Sequence, residues 1–255
     1  MRTRYYILTG VVAYFAFLIT TIPAAPVVAM LKDRIPITVN HVSGTLWKGH
    51  AGSVDTGRKL TLKNVHWSFL PWHLLLATAA IDVDAQLNNN PVNTRLSAGI
   101  GGSLAVNGLE MKLDASDVAP LIALPIGELS GEFHVRINSA SIKQGQVPRV
   151  DGTVNWNRAA VTVAETAEFG NVSILVNEDD TSPLTARISN QGGDLKLNGS
   201  FTATEQGDYS LQVTMKPNAT ASDNLINSLA MFSRKQRNGE FVLNNKGRLQ
   251  QLGLM

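Results

Sequence analysis

The residue pattern predicts a mainly β protein: a single N-terminal transmembrane helix, then an antiparallel β-rich body held outside the cytoplasm. Two observations lead there, an opening run of charge-free apolar residues and a period-two alternation of apolar and polar side chains through much of the remaining chain. A third, a set of motifs recurring in the same order, divides the body into two related tandem halves with one short helix each. The expected boundaries are 1–31 for the cytoplasmic tail and anchor, 32–150 for the first half and 151–255 for the second.

Tyr5 to Ile22 reads YYILTGVVAYFAFLITTI, without a charge. At about 1.5 Å per residue such a helix approaches the roughly 30 Å of a bilayer's hydrocarbon core. Arg2 and Arg4 precede it, so the positive-inside rule keeps that end in the cytoplasm. Tyr5, Tyr6 and Tyr14 suit the aromatic interface, Gly10 and Ala13 put small residues on one side, and Pro23 and Pro26 mark the far end. The competing reading is a cleaved signal peptide, with Val27-Val28-Ala29 as the cleavage site. The apolar run exceeds the roughly 7–15 residues of a signal core, which favours a retained anchor that meets membrane lipid.

Composition narrows the classes. A hydrophobic content of 44% supports a packed core, and 16% charged is too low for charge-driven disorder. A net charge of +2 offers no basic groove for nucleic acid. The densest basic run, Arg234-Lys235-Gln236-Arg237, reads as a solvated helix end. Cysteine is absent, which removes disulfides, thiol nucleophiles and thiolate metal sites.

Alternation is clearest at Ile81–Leu87, Leu109–Leu113, Phe133–Ile137, Leu184–Ile188 and Tyr209–Met215, each predicting a strand with one wet face. One wet face means an antiparallel sheet, because parallel strands are covered on both sides. The phase changes between Leu60, Leu62 and Val65, Trp67, which predicts a bulge near Lys63-Asn64. Gly101-Gly102, Asn107-Gly108, Gly192-Gly193, Asn198-Gly199 and Asn238-Gly239 are expected as hairpin turns. Ser116 or Asp117 caps a short helix reaching Leu124, and Ser222 or Asp223 caps one whose apolar face is Leu225, Ile226, Leu229 and Ala230. Pro71 to Ala77 is expected as one helical turn.

The repeat rests on three matches. Gly101-Gly102-Ser103-Leu104-Ala105-Val106-Asn107-Gly108 resembles Gly192-Gly193-Asp194-Leu195-Lys196-Leu197-Asn198-Gly199. Gly131-Glu132-Phe133 returns as Gly239-Glu240-Phe241, and Gly44-Thr45 with Trp47 returns as Gly152-Thr153 with Trp156.

Residues able to carry chemistry do not assemble into a motif. His41, His50, His66, His73 and His134 form no HExxH and no close cluster with carboxylates. Asp82 and Asp84 share one strand face, the wet one, where they read as solvated. Glu178-Asp179-Asp180 lacks the pattern of a calcium loop, and no G-x-S-x-G elbow or phosphate loop occurs. The reading is therefore a protein that is not an enzyme and needs no cofactor or metal.

What remains is Ser43-Gly44-Thr45-Leu46-Trp47-Lys48-Gly49, with Val65-His66-Trp67-Ser68-Phe69-Leu70-Pro71 after it. Tryptophan favours core corners and interfaces alike, so Trp47 reads either as a sheet anchor or as a docking patch. At these residues, and in the single N-terminal span and the late G-E-F and G-R-L segments, the chain resembles the type II secretion system protein N family. The resemblance implies a bitopic subunit in the bacterial inner membrane, with its C-terminal body in the periplasm. It further implies other inner-membrane subunits of the secretion platform as partners, and a scaffold or assembly role in exporting folded proteins. Gly44, Trp47, Gly49, Trp67 and Pro71 are the interaction-critical or fold-critical candidates. In layout the chain is also similar to AsmA-like envelope proteins, whose β-grooves carry lipid; that alternative stays open here.

Overall fold

The computed structural model describes residues 20–31, 37–55, 60–122, 128–143, 145–162, 166–177 and 184–252, with Tyr6, Gly10, Val11, Ala13, Tyr14, Phe17 and Leu18 before them. The described body is one antiparallel sheet of 14 strands. Its first seven are β1 (Thr38–Gly44), β2 (Lys48–Asp55), β3 (Thr61–Phe69), β4 (Thr78–Leu87), β5 (Asn90–Gly99), β6 (Ser103–Asp114) and β7 (Glu128–Lys143). The rest are β8 (Arg149–Thr162), β9 (Thr166–Asn177), β10 (Leu184–Gln191), β11 (Leu195–Ala203), β12 (Asp208–Pro217), β13 (Arg234–Lys235) and β14 (Phe241–Arg248). Each strand lies beside its predecessor in sequence, except that β14 pairs with β12 and carries the short β13 on its outer side. Helix α1 (Ala24–Leu31) packs beside β1, α2 (Ala115–Ile122) follows β6, and α3 (Asp223–Phe232) follows β12.

The five alternating segments all lie in strands, β4, β6, β7, β10 and β12. In β4 the alternation sends Ala85 and Leu87 into the core and leaves Asp84 and Gln86 exposed. The phase change in β3 is a bulge, where pairing with β4 shifts between Lys63 and His66 and Asn64 takes a positive φ of 50°. Asn107-Gly108 corrects the expected turn. It lies inside β6, where pairing with β5 gains a residue and Gly108 has φ 64°. The extra residue switches phase, so that Leu104 and Val106 continue on the same face as Leu109, Met111 and Leu113. Asn198-Gly199 is likewise inside a strand, paired in β11 with Thr214 and Val213. The other three glycine pairs do sit at strand connections. Arg234 and Lys235 form β13 rather than a helix end.

A single layer buries little, and the core is accordingly rich in alanine. Ala51, Val65, Ala85, Leu87, Val92, Leu113 and Phe133 line one face from β2 to β7, and α2 adds Ala115. Beyond them, Ala167 and Leu195 pack under Leu225 of α3, while Val147, Ala203 and Leu249 close the opposite end. Ser222 caps α3, its side chain accepting from the Leu225 amide at 3.1 Å, and Leu225 is buried. Ala230, expected on the apolar face, is exposed. Both α2 and α3 lie at one end of the sheet, the helix end. The β1–β2, β3–β4 and β5–β6 connections lie at the other, the turn end.

Asn190 stitches β9, β10 and β11 together at the helix end. Its amide donates to the carbonyls of Phe169 and Leu195, each at 2.7 Å, and its oxygen accepts from the Leu197 amide at 2.7 Å. No alternating pattern marks this residue. Asn190→Ala removes the side-chain partner of these three backbone groups and is expected to cost about 2–3 kcal/mol, read by urea unfolding. A loss below about 0.5 kcal/mol would mean water replaces the side chain freely.

The sheet runs without a break through residue 150, where β7 and β8 pair along most of their length. The octapeptide match relates turns at opposite ends of the sheet, since Gly101-Gly102 lies at the turn end and Gly192-Gly193 at the helix end. The Gly-Glu-Phe match relates more similar places. Gly131 and Gly239 both have positive φ, both phenylalanines are buried, and each follows a helix at the same end.

At the N-terminus, no helix among the described residues is long and apolar enough to cross a membrane. Much of the expected anchor, Tyr5 included, lies outside the described residues. Those that are described within it, from Tyr6 to Thr20, are helical, and Tyr6, Val11, Tyr14, Phe17 and Leu18 are exposed. The Glu178-Asp179-Asp180 segment also lies outside the described residues.

Candidate functional site: the Gly44–Gly49 turn

The Ser43–Gly49 motif is the β1–β2 connection. Gly44 takes φ 85°, and a Cβ there would sit 2.7 Å from the Lys48 carbonyl oxygen, so only glycine closes this turn without strain. The Thr45 amide donates to the Lys48 carbonyl at 2.9 Å, and the Lys48 amide donates back to the Thr45 hydroxyl at 3.2 Å. Gly49 follows because the Trp67 indole covers it; a Cβ would fall 2.6 Å from Cε2 of that ring. From there the indole N–H of Trp67 donates to the Leu46 carbonyl at 3.2 Å. Trp47 packs edge-on against Phe69 at 4.9 Å, and its carbonyl accepts from the Phe69 amide at 2.7 Å. Both tryptophans are half-buried, so the cluster anchors β3 to the β1–β2 turn.

The same turn holds the N-terminal segment. The Leu46 amide donates to the Ile22 carbonyl at 3.1 Å, Pro23 bridges to Thr45, and Ala24 is fully buried. Ile22 therefore joins Gly44, Trp47, Gly49 and Trp67 in one place. Of the other anchor residues, Gly10 has nothing within 4 Å of where a Cβ would sit, and Tyr14 is exposed. Pro71 lies close by in sequence and opens a 3-10 turn, Pro71–Leu76, at the same end of the sheet. Ala77 closes that turn with φ 56°, and its carbonyl accepts from the Ile100 amide of the β5–β6 turn at 3.3 Å. The exposure of the leucines here went unread in sequence. Its signal was an apolar run placed on a turn, where burial by strand neighbours is unavailable.

The polar face holds ordinary cross-strand pairs. Arg95 meets Asp82 at 2.7 Å, Arg136 meets Glu110 at 2.8 Å, and Arg158 meets Glu132 at 2.7 Å. The hydrogen bond to Asp82 holds the Arg95 guanidinium above its ordinary pKa. All three pairs are solvent-exposed and contribute little. A cleft of about 380 Å³ on this face is lined by Asn93, Glu110, Lys112, His134, Arg136 and Asn155, a mixed-charge surface without a nucleophile–base pair. The His50 and His66 rings lie 4.6 Å apart, tilted at 47°, yet among the described residues no group of three His, Asp or Glu side chains is placed to hold a metal.

Residues 36–244, which include the stretch from Gly44 to Pro71 but not Ile22, match the family described as type II secretion system (T2SS), protein N. The chain belongs to that family. Three proteins named type II secretion system protein N are similar over nearly their whole length. The one from Aeromonas hydrophila is 22% identical, covering 93% of this chain and 95% of its own. That from Klebsiella pneumoniae is 24% identical over 89% and 88%, and that from Vibrio cholerae serotype O1 is 20% identical over 89% and 91%. No solved structure matches this family member significantly. Its place is thus among subunits of the type II secretion machinery.

Proposed function

We propose that this secretion subunit is a non-catalytic scaffold, anchored once in the inner membrane and holding its sheet in the periplasm. The observation that carries the reading is the bond between the Leu46 amide and the Ile22 carbonyl, which fastens the end of the apolar segment to the Gly44–Gly49 turn. The exposed aromatic and aliphatic side chains of that segment fit a lipid surround, and Gly10 and Ala13 offer a lateral contact for a neighbouring span. The other inner-membrane platform subunits are the partners in this reading. Their route onto the body is an edge strand: β13 covers β14 only at Phe241 and Val242, so Leu243 to Arg248 have no strand on their outer side among the described residues. β1, the other edge, has α1 beside it and a positive φ at His41, so β14 is the better template for strand addition.

Photo-crosslinkers at Lys246 and at Asn198 in β11 separate the cases. Capture of a platform subunit from Lys246 and not from Asn198 is expected; equal capture, or none, ends the edge-strand route. A fluorescent reporter fused at the C-terminus is expected to stay dark, and cytoplasmic fluorescence refutes the topology.

A second reading has one observation in its favour. Leu96, Leu104 and Ile142 lie on the apolar face near the turn end and are exposed, as the wall of a lipid groove would be. Phospholipid retained through purification, found by mass spectrometry, would favour lipid carriage over scaffolding.

A further inference from the structure

The turn end of the sheet carries a greasy rim. Trp72, Leu75 and Leu76 on the 3-10 turn are 72%, 88% and 75% exposed, and Ile100 on the adjoining β5–β6 turn is 86% exposed. Leu104, one residue into β6, is exposed beside them. From Phe69 to Ile81 and from Ala98 to Leu109 the chain has no Asp, Glu, Lys or Arg. Side chains of this size at full exposure gain nothing from water, and they are not scattered singly but meet on two hydrogen-bonded turns. Several of the turns' backbone groups are bonded internally. His73 donates its amide to the Leu70 carbonyl at 3.2 Å, Ala77 to Leu74 at 3.0 Å, and Gly102 to Gly99 at 3.0 Å, while the Thr78 hydroxyl donates to the Leu76 carbonyl at 3.2 Å. Occupied backbone is what a segment entering the headgroup region needs.

The rim and the N-terminal segment share an end of the sheet. Ile22 is bonded to Leu46, the Trp47 carbonyl to Phe69, and the Leu70 amide to the Ala80 carbonyl, so the β1–β2 turn, the 3-10 turn and the chain's approach from the apolar segment form one continuous surface. We propose that Trp72, Leu75, Leu76 and Ile100 insert into the headgroup–acyl boundary of the same leaflet from which the anchor emerges. The inference rests on the single-span reading and adds a second membrane contact to it. A tryptophan among exposed leucines and isoleucine matches the usual interfacial preference. Two contacts separated along the sheet's end fix how the sheet stands, with its strands rising from the membrane and its helix end farthest away.

The natural absence of cysteine makes the test clean. Leu75→Cys, Ile100→Cys and Lys196→Cys, the last at the helix end, each carry one environment-sensitive NBD label on the full chain. The labelled chains are reconstituted into phosphatidylethanolamine–phosphatidylglycerol vesicles with and without acyl-chain nitroxide lipid. Blue-shifted emission and at least threefold quenching at positions 75 and 100, with neither at 196, is the expected result. Chains that float with the vesicles while positions 75 and 100 emit as in water overturn this inference and leave the anchor intact. Chains that fail to float overturn the anchor and this inference together. Shielding at 75 and 100 in native membranes but not in the lipid vesicles overturns it as well, by assigning the rim to a protein partner.

Discussion

Gly49→Ala is expected to destabilise the fold by about 2–4 kcal/mol, the sum of overpacking a rigid contact and losing a hydrogen bond. The new methyl would overlap the indole of Trp67, which cannot shift along the sheet because its N–H is committed to the Leu46 carbonyl at 3.2 Å. Moving the ring aside breaks that bond and loosens the turn that holds Ile22. The cause is checked by a double-mutant cycle. In a Trp67→Leu background the same methyl has room, and its cost is expected to fall below about 1 kcal/mol, a coupling well above experimental additivity. An unchanged cost would show that the indole is not the obstacle. The single variant is also expected to become accessible to protease between Pro23 and Leu31 before the sheet itself unfolds.

Phe241→Ala is expected to cost about 3–5 kcal/mol, in the range of buried phenylalanine truncations. Phe241 is 1% exposed, and among the described residues only Leu195 and Leu249 of the other large side chains are as fully enclosed. It opens β14 opposite Met215 of β12, with Lys235 Nζ 5.7 Å from the ring centre on the other side. Because β14 is the last long strand, losing its anchor frees the whole edge. Calorimetry should show the midpoint falling by roughly 10 °C, given about 2–4 °C per kcal/mol at this size. Hydrogen exchange should accelerate first between Phe241 and Arg248. Lys235→Ala, which removes only the cation, should cost under about 1 kcal/mol. Equal losses from the two variants would refute burial as the cause.

Strands such as β4 and β12 were legible because a sheet with one wet face writes its geometry into alternate residues. β2, Lys-Gly-His-Ala-Gly-Ser-Val-Asp, was not, because its small residues lie beneath neighbouring side chains, Gly49 under Trp67 and Gly52 against His41, and erase the contrast between faces. Asn107-Gly108 and Asn198-Gly199 read as turns because the same dipeptide serves a hairpin, a bulge and an in-strand close approach; only pairing distinguishes them. The candidate site divides in the same way. Gly44, Gly49 and Trp67 announced themselves through residue type, since a positive φ and a covered Cα each demand glycine. The link from Leu46 to Ile22 left no trace, being made by two backbone groups that any residue supplies. The exposure of Trp72 and Leu75 was equally hidden, because composition counts apolar residues without saying which ones lack neighbours.

Fourteen strands laid down almost wholly in the order of the chain have a kinetic meaning. Each new hairpin needs only the strand just made as its template, so loop closure stays short from the first residue to the last. Such a body can be assembled like cloth leaving a loom, row upon row, while its later segments are still being synthesised. No early strand has to wait, exposed to aggregation, for a distant mate.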